Sequence, residues 1–186
     1  MSTILSSSSQ PRLYGSGPRF LIDSNCLMTP YNEYFNPTFD LSRQFWKAIN
    51  ELIQAGTIGL LDKVYNETYG HESDKLDIWL DKVKPQVIRC DTDSGILTGY
   101  QKVLQHVASP TSGYQSGSVR DWADEKIADP WLIGGALKCR SSIITFEKGQ
   151  NQVDTPWKHP KIPTVAHAFG LECVTLFDFM KKSGAF

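Results

Sequence analysis

Apolar residues recur at helical spacing in several segments of the chain. In the clearest segment, Asp40 precedes an apolar stripe and Gly56 follows it, which is typical of a helix with an acidic start and a glycine after its end. The stripe consists of Leu41, Phe45, Trp46, Ile49, Leu52 and Ile53. Similar patterns predict helices at 63–69, 76–83, 96–107, 129–139 and 162–169, and a short helix at the end of the chain.

Short apolar runs lie between these helical segments and predict strands. They fall at 19–23, 57–61, 86–90, 142–146 and 173–176. Strands that alternate with helices indicate βαβ units and a mostly parallel sheet covered on both faces. The sequence therefore predicts an α/β fold, a three-layer α/β/α sandwich whose mostly parallel central sheet has about five strands.

The first eighteen residues differ from the rest of the chain. Residues 1–18 are rich in Ser, Gly and Pro and lack the apolar stretch of a signal peptide, so we predict a flexible extension followed by one domain at 19–186. The chain has 186 residues, 40% hydrophobic and 21% charged, which is typical of a globular domain with a substantial core. No run approaches the ~20 apolar residues of a membrane span. We therefore expect a cytoplasmic protein with no membrane partner.

Charge and cysteine content narrow the candidate functions. The formal net charge of −1 excludes a general basic coat for nucleic acid, so any such contact must come from a local patch. The four cysteines contain no Cys-x-x-Cys pair, and zinc-ribbon spacing is absent. Cys26, Cys90, Cys139 and Cys173 are therefore predicted to be reduced residues of the core.

Four acidic residues stand where predicted strands end or predicted helices begin. Asp23 ends the first strand, Glu67 follows the second, Asp129 opens a helix and Glu147 directly follows the fourth strand. The carboxyl ends of parallel strands meet at one edge of a sheet, so these side chains are expected to converge there. Carboxylates are the hard ligands that Mg²⁺ prefers, and a bound metal can activate water against a phosphodiester. Each residue also has an ordinary alternative, which is a turn for Asp23, a solvated charge for Glu67, a helix cap for Asp129 and a loop charge for Glu147.

With these motifs the chain resembles the PIN-domain nucleases. The matching segments are Leu21-Ile22-Asp23-Ser24-Asn25, Val64-Tyr65-Asn66-Glu67, Ala128-Asp129-Pro130-Trp131-Leu132-Ile133 and Ile143-Ile144-Thr145-Phe146-Glu147. More narrowly, the chain is similar to an uncharacterised bacterial PIN-like family. The features shared with that family are a Tyr/Phe-rich loop at 31–35, the Ala-Asp-Pro-Trp-Leu-Ile run and a closing Lys-Ile-Pro-x-Val segment at 161–165.

The resemblance implies an endoribonuclease that uses Mg²⁺ or Mn²⁺. It makes Asp23, Glu67, Asp129 and Glu147 the catalytic residues, with Asp23 and Asp129 as the principal metal ligands. Glu67 would be a ligand or orient the attacking water, and Glu147 would complete the cluster, although PIN domains often carry aspartate there. Many small PIN proteins are toxins of bacterial toxin–antitoxin pairs. The implied partners are therefore an RNA substrate, an antitoxin protein and a second copy of the chain in a homodimer.

Four further residues are candidates for substrate binding: Ser24, Asn25, Lys148 and Lys158. Ser24 and Asn25 are also suited to holding the Asp23 loop by local hydrogen bonds. Lys148 and Lys158 belong to a group of basic residues around Trp157, a combination that suits single-stranded nucleic acid but also occurs on any solvated face.

Two other readings stay open beside the nuclease. One is a catalytically weak PIN-like module that binds nucleic acid or protein. The other is a phosphohydrolase of the haloacid-dehalogenase type, which needs a second aspartate two residues after the first. The chain has Asn25 at that position, which cannot transfer the proton, so the phosphohydrolase is disfavoured.

Overall fold

A four-stranded, all-parallel sheet forms the centre of the protein. The computed structural model describes residues 17–70 and 74–186. The strands are β1 (Phe20–Ile22), β2 (Ile58–Gly59), β3 (Ser142–Ile144) and β4 (Cys173–Val174), and they lie in the order β2-β1-β3-β4. The predicted α/β class and the parallel sheet are confirmed.

The first strand is the inner partner of two others. Phe20 of β1 is in register with Ile58 on one side and Ser142 on the other. The side chains of Leu21 and Ile22, which point to opposite faces, are both fully buried. Burial of both faces is typical of parallel strands and explains why the strand reads as a continuous apolar run.

Helices of very different length connect the strands. They are α1 (Asn25–Thr29), α2 (Asp40–Gln54), α3 (Asp62–Thr68), α4 (Asp74–Val83), α5 (Ser94–Ala108), α6 (Ser118–Trp122), α7 (Asp129–Cys139), α8 (Ile162–Ala168) and α9 (Leu176–Ser183). A π-helical turn spans Pro30–Tyr34, and 3₁₀ turns span Lys84–Gln86 and Gln152–Asp154. Each of the helices predicted from the apolar stripes is present.

The strand predicted at 86–90 is wrong. Pro85 lies within a 3₁₀ turn, and the segment that follows makes only one parallel bridge, between Ile88 and Leu61. In that bridge the Ile88 amide donates to the Leu60 carbonyl at 2.8 Å and the Asp62 amide donates to the Ile88 carbonyl at 2.9 Å. The segment is too short to extend this bridge into a strand, because α5 begins soon afterwards. Asp93 caps that helix by accepting hydrogen bonds from the amides of its first turn. The sheet therefore has four strands rather than five.

Two helices approach each other through glycine. A Cβ added to Gly134 of α7 would lie 2.5 Å from the Tyr100 amide nitrogen of α5, and one added to Gly99 would collide with the Gly134 carbonyl oxygen. The ring of Tyr100 stacks on Trp131 at 3.9 Å between centroids. At the other end, Lys138 Nζ lies 2.9 Å from the Asp93 carboxylate. These contacts fix α7, and with it the acidic residue at its first position, against the body of the fold.

Three smaller predictions, on the N-terminal extension, the cysteines and membrane spans, can be compared with this fold. Residues 1–16 of the predicted extension lie outside the described part, whereas Pro18 accepts a 2.7 Å hydrogen bond from the Ser141 hydroxyl. All four cysteines are free. Cys26, Cys90 and Cys139 are buried as predicted, whereas Cys173 is only partly buried and packs against the core. Among the described residues, no helix is long and apolar enough to cross a membrane.

Candidate active site

Asp23 is a buried carboxylate at the carboxyl end of the central strand. Its side chain is 2% exposed, and its Oδ2 accepts a hydrogen bond from Thr145 Oγ1 at 2.7 Å. Burial raises the pKa of Asp23 from its ordinary value of 3.8 to about 6; the Thr145 bond opposes this rise, and the charges of Glu147 and Glu67 add to it. Asp23 is thus held in place while its negative charge is disfavoured.

The hydroxyl of Thr145 joins the ends of the two central strands. Besides donating to Asp23, Thr145 Oγ1 accepts from the Glu147 amide at 3.0 Å and from Asn25 Nδ2 at 3.4 Å. Asn25 Oδ1 in turn accepts from the Phe146 amide at 3.1 Å. The side chain of Ser24 is buried, with its hydroxyl 3.4 Å from Asp23 Oδ1. Asn25 and Ser24 therefore hold the Asp23 loop, and their contact with substrate stays a prediction.

Asp129 lies in the first turn of α7 without capping it. The residue at the N-cap position is Ala128, and no side chain makes a capping hydrogen bond. The alternative reading of Asp129 as a helix cap is therefore wrong, since Asp129 and Pro130 both lie inside the helix. Burial raises the pKa of Asp129 to about 8, and the charges of Asp23, Glu147 and Glu67 contribute to the rise, while Lys161 opposes it. The carboxylate of Asp129 is therefore not used for capping and interacts with the other acids.

Glu147 has a partner for each of its carboxylate oxygens. Lys161 Nζ lies 2.6 Å from Oε1, and the Ile162 amide donates to Oε2 at 2.9 Å. The strand predicted at 142–146 ends at Ile144, so Glu147 lies three residues beyond β3 and not directly after it. From there it contacts Ile162, the first residue of α8. Glu67, on α3, is partly buried, and its charge raises the pKa of both Asp23 and Asp129.

The structure therefore brings the four predicted acids into one electrostatic cluster, which also contains Lys161. Burial counts against the ammonium of Lys161, but its bond to Glu147 and the charges of Asp129 and Asp23 raise its pKa overall. The sequence analysis missed the place of Lys161 here, because it treated the residue as part of the Lys-Ile-Pro-x-Val segment and not as a partner of the acids. The Lys-Ile-Pro segment was the available signal. It also missed Thr145, since a threonine at a strand end is too common to stand out.

The chemistry of this cluster suits a hard divalent cation, although the side chains are not yet arranged around one. Carboxylate oxygens are the ligands preferred by Mg²⁺ and Mn²⁺. One lysine does not balance four ionised carboxylates, and the raised pKa of Asp129, about 8, reflects both its burial and this imbalance. In residues 17–70 and 74–186, however, no three His, Cys, Asp or Glu side chains are grouped closely enough to hold a metal as they stand. A cation would have to draw the carboxylates together.

The predicted basic patch is only partly suited to nucleic acid. Lys148 and Lys158 are exposed, as phosphate contacts require. Trp157 is buried, and its indole nitrogen donates to the Asn151 carbonyl at 2.8 Å. The Trp157 ring is therefore part of the loop structure rather than a surface on which a base can stack.

Fold and site together define an α/β protein with an acidic cluster at the carboxyl edge of a parallel sheet. The sequence model of one family, described as Domain of unknown function (DUF4411), matches residues 20–186. The chain belongs to that family. Searches of curated proteins and of solved structures found no match.

Proposed function

We propose that the protein is a metal-dependent endoribonuclease that hydrolyses phosphodiester bonds, with a PIN-like three-layer sandwich as its fold. The observation that carries the proposal is the mutual interaction of Asp23, Glu67, Asp129 and Glu147 at one edge of the sheet. These residues come from four separate segments of the chain. A structural ion-pair network would balance such charges, and this cluster contains one lysine for four acids.

Electrostatics favours a cation among three of these acids. The raised pKa values of Asp23 and Asp129 reflect negative charge that is both buried and uncompensated. Asp23, Asp129 and Glu67 are the residues that would hold Mg²⁺ or Mn²⁺, because Glu147 already has two partners. When bound, the metal would lower the pKa of a water and neutralise charge on the phosphodiester.

The remaining residues have supporting roles in this proposal. Thr145 and Asn25 hold Asp23 in a fixed position at the end of β1. Lys161 is the cation beside the acids, where it can contact a non-bridging phosphate oxygen, and Glu147 positions its ammonium. Lys148 and Lys158 are exposed and available to the flanking phosphates.

The nature of the substrate and the biological role are inferred from the resemblance to PIN domains. An acidic cluster with metal acts on DNA or RNA phosphodiesters alike, and PIN domains of this size commonly cleave RNA. The same resemblance supports a toxin of a bacterial toxin–antitoxin pair, inhibited by an antitoxin protein.

A second candidate is a catalytically weak PIN-like module that binds nucleic acid or protein. It is favoured by the engagement of both Glu147 oxygens and by the absence, among the described residues, of three acids grouped for a metal. The two candidates differ in whether the acids bind metal at all.

The decisive experiment is cleavage of a mixed-sequence single-stranded RNA by the purified protein with Mn²⁺. We expect the wild type to cleave, and we expect chelation, Asp23→Asn and Asp129→Asn each to abolish cleavage. Asp154→Asn is the matched control, since Asp154 is exposed on a 3₁₀ turn and contributes to neither raised pKa. A single-stranded DNA of the same sequence tests the choice of RNA.

Metal binding is measured separately from cleavage. Calorimetric titration with Mn²⁺ should show binding to the wild type and to Asp154→Asn, and none to Asp23→Asn. Cleavage that is equal and faint in all variants would indicate contamination. If the wild type also bound no metal at millimolar concentration, the binding module would replace the nuclease.

A further inference from the structure

A groove of about 390 Å³ lies between α2 and α4. Its walls are apolar and include Trp46 and Leu76, and Ile78 stands at its rim with 58% of its surface exposed. Ile78 therefore adds exposed apolar surface to the rim of this concave lining. The volume is enough for a few large side chains.

Among the residues that the structure describes, the charged side chains that line this groove all have the same sign. They are Arg43, Lys47, Lys75 and Lys82. The whole chain has a net charge of −1, so the basic character belongs to this surface and not to the protein in general. Arg43 and Lys47 each lie near an acid on their own helix, Asp40 at 3.0 Å and Glu51 at 3.7 Å. Exposed pairs of this kind contribute little and leave both cations available to a partner.

The aromatic rings of the groove are already engaged with one another. Trp46 lies edge-on to Trp79, with centroids 5.0 Å apart, and its indole nitrogen donates to the Phe35 carbonyl at 2.7 Å. The indole nitrogen of Trp79 donates to the Trp46 carbonyl at 3.2 Å. Both side chains are less than 10% exposed. Rings held this way offer no free face on which a nucleic-acid base can stack.

The N-terminal segment of the chain contains no acidic side chain. Residues 1–16 contain Arg12 and no aspartate or glutamate, so they do not complement four cations. The ligand that fits an apolar channel with a basic rim is an amphipathic helix with acidic flanks.

We propose that this groove binds an acidic amphipathic helix of another protein. The apolar stripe of that helix enters between α2 and α4 and packs on Ile78 and on the accessible parts of Trp46 and Trp79. Carboxylates on either side of the stripe face the four basic side chains, which set its orientation and exclude basic partners. The proposal stands whether or not the acidic cluster cleaves RNA.

The test uses the full chain and a displayed library of 18-residue peptides. Every peptide has leucine at positions spaced i, i+3, i+4 and i+7, and the other positions vary among Asp, Glu, Lys, Arg, Ser and Ala. We expect selection to enrich Asp and Glu beside the leucines. The best peptide should bind at least tenfold more weakly to Ile78→Asp and to the double variant Lys47→Glu, Lys82→Glu. The matched control is Lys102→Glu, an exposed lysine of α5 outside the groove, which should change affinity less than twofold.

Thermal melting checks that each variant is folded. Because all the changed side chains are exposed, the variants should unfold within a few degrees of the wild type. Three outcomes would overturn the proposal: no enrichment, enrichment of basic or uncharged peptides, and affinity unchanged in both groove variants. Two results would assign the groove to another occupant. They are tighter binding of a fluorescent single-stranded RNA that Ile78→Asp abolishes, and self-association of the chain that the same variant prevents.

Discussion

The ammonium of Lys161 and the carboxylate of Glu147 meet at 2.6 Å, linking the start of α8 to the end of β3. The side chain of Glu147 is 17% exposed and that of Lys161 is 45% exposed, so solvent screens this pair only in part. Glu147 also accepts from the Ile162 amide. The pair therefore has two functions, which are to anchor a helix and to hold a cation beside three other acids.

Lys161→Met should weaken both functions. The loss of the ammonium leaves Glu147 with one partner and adds uncompensated charge to the cluster. We expect the free energy of unfolding to fall by about 1 kcal/mol, a value reduced for the exposure of the lysine. Urea denaturation measures the loss. Lys182→Met is the control, because Lys182 lies 3.7 Å from Glu172 in an exposed pair and should give no measurable change.

In the proposed nuclease, Lys161→Met should also reduce cleavage strongly while metal binding persists. A variant that lost metal binding as well would show that Lys161 supports the ligands and does not contact phosphate. Wild-type cleavage by this variant would remove Lys161 from the proposed mechanism and leave the nuclease itself intact.

The metal-free protein should become more stable as pH falls from about 8 toward 5. The pKa of Asp129 is about 8 in the folded state and 3.8 ordinarily, so between these values the folded state binds more protons than the unfolded state. The contribution of Asp129 to stability is then fully present below its pKa in the unfolded state. This contribution is lost as pH rises through its pKa in the folded state, by up to about 1.4 kcal/mol per pH unit.

Asp129→Asn should flatten this pH dependence and raise stability at pH 8 by about 1 kcal/mol or more, because it removes a buried charge. The measurement is urea denaturation with a chelator at several pH values, with Asp154→Asn as the control that keeps the wild-type slope. A wild type whose stability did not change between pH 5 and pH 8 would contradict the assignment. Saturating Mn²⁺ should reverse the trend, since the metal binds the charged form.

Thr145→Val should destabilise the protein although it preserves the shape of the side chain. The hydroxyl donates to Asp23 and accepts from the Glu147 amide, and the side chain is 2% exposed. We expect a loss of about 2 kcal/mol, since a buried carboxylate and a buried amide each lose a partner. Thr145→Ser should recover most of this loss. Equal stability of the valine and serine variants would show that the hydroxyl bonds contribute nothing.

Gly99→Ala should be among the most damaging single-methyl changes in the chain. The added Cβ would collide with the Gly134 carbonyl oxygen, which belongs to a helix backbone and cannot move aside. We expect a loss of about 3 kcal/mol or more, measured by urea denaturation. Gly117→Ala is the control, since nothing lies within 4 Å of its added Cβ. A stability close to the wild type for Gly99→Ala would mean that α5 and α7 can separate without cost.

Local patterns were sufficient for the helices and for the edge of the sheet where the acids lie. The stripe after Asp40 predicts α2 because its spacing depends only on the helix itself, and the structure confirms a helix at Asp40–Gln54. The convergence of Asp23 and Glu147 follows in the same way from two apolar runs that each end in an acid. Both inferences use information that lies within a few residues.

Features that depend on distant segments were not predictable. An apolar run at 86–90 looks like a strand, and the space left between the 3₁₀ turn and the capped start of α5 decides that it forms one bridge. The partner of Glu147 depends on the path of residues 149–160, which brings Lys161 back across the sheet edge. The spacing of apolar residues in the sequence does not indicate the path of residues 149–160.

The position of β1 between β2 and β3 has a consequence for the making of the protein. The first strand leaves the ribosome early, yet its second partner, β3, begins only at Ser142. Asp23 cannot acquire its bond to Thr145 before that strand is synthesised, and Lys161 follows later still. The acidic cluster therefore cannot assemble until the segment from Ser142 to Lys161 has been synthesised. In the proposed nuclease, a nascent chain that ends before Ser142 would therefore be inactive toward RNA.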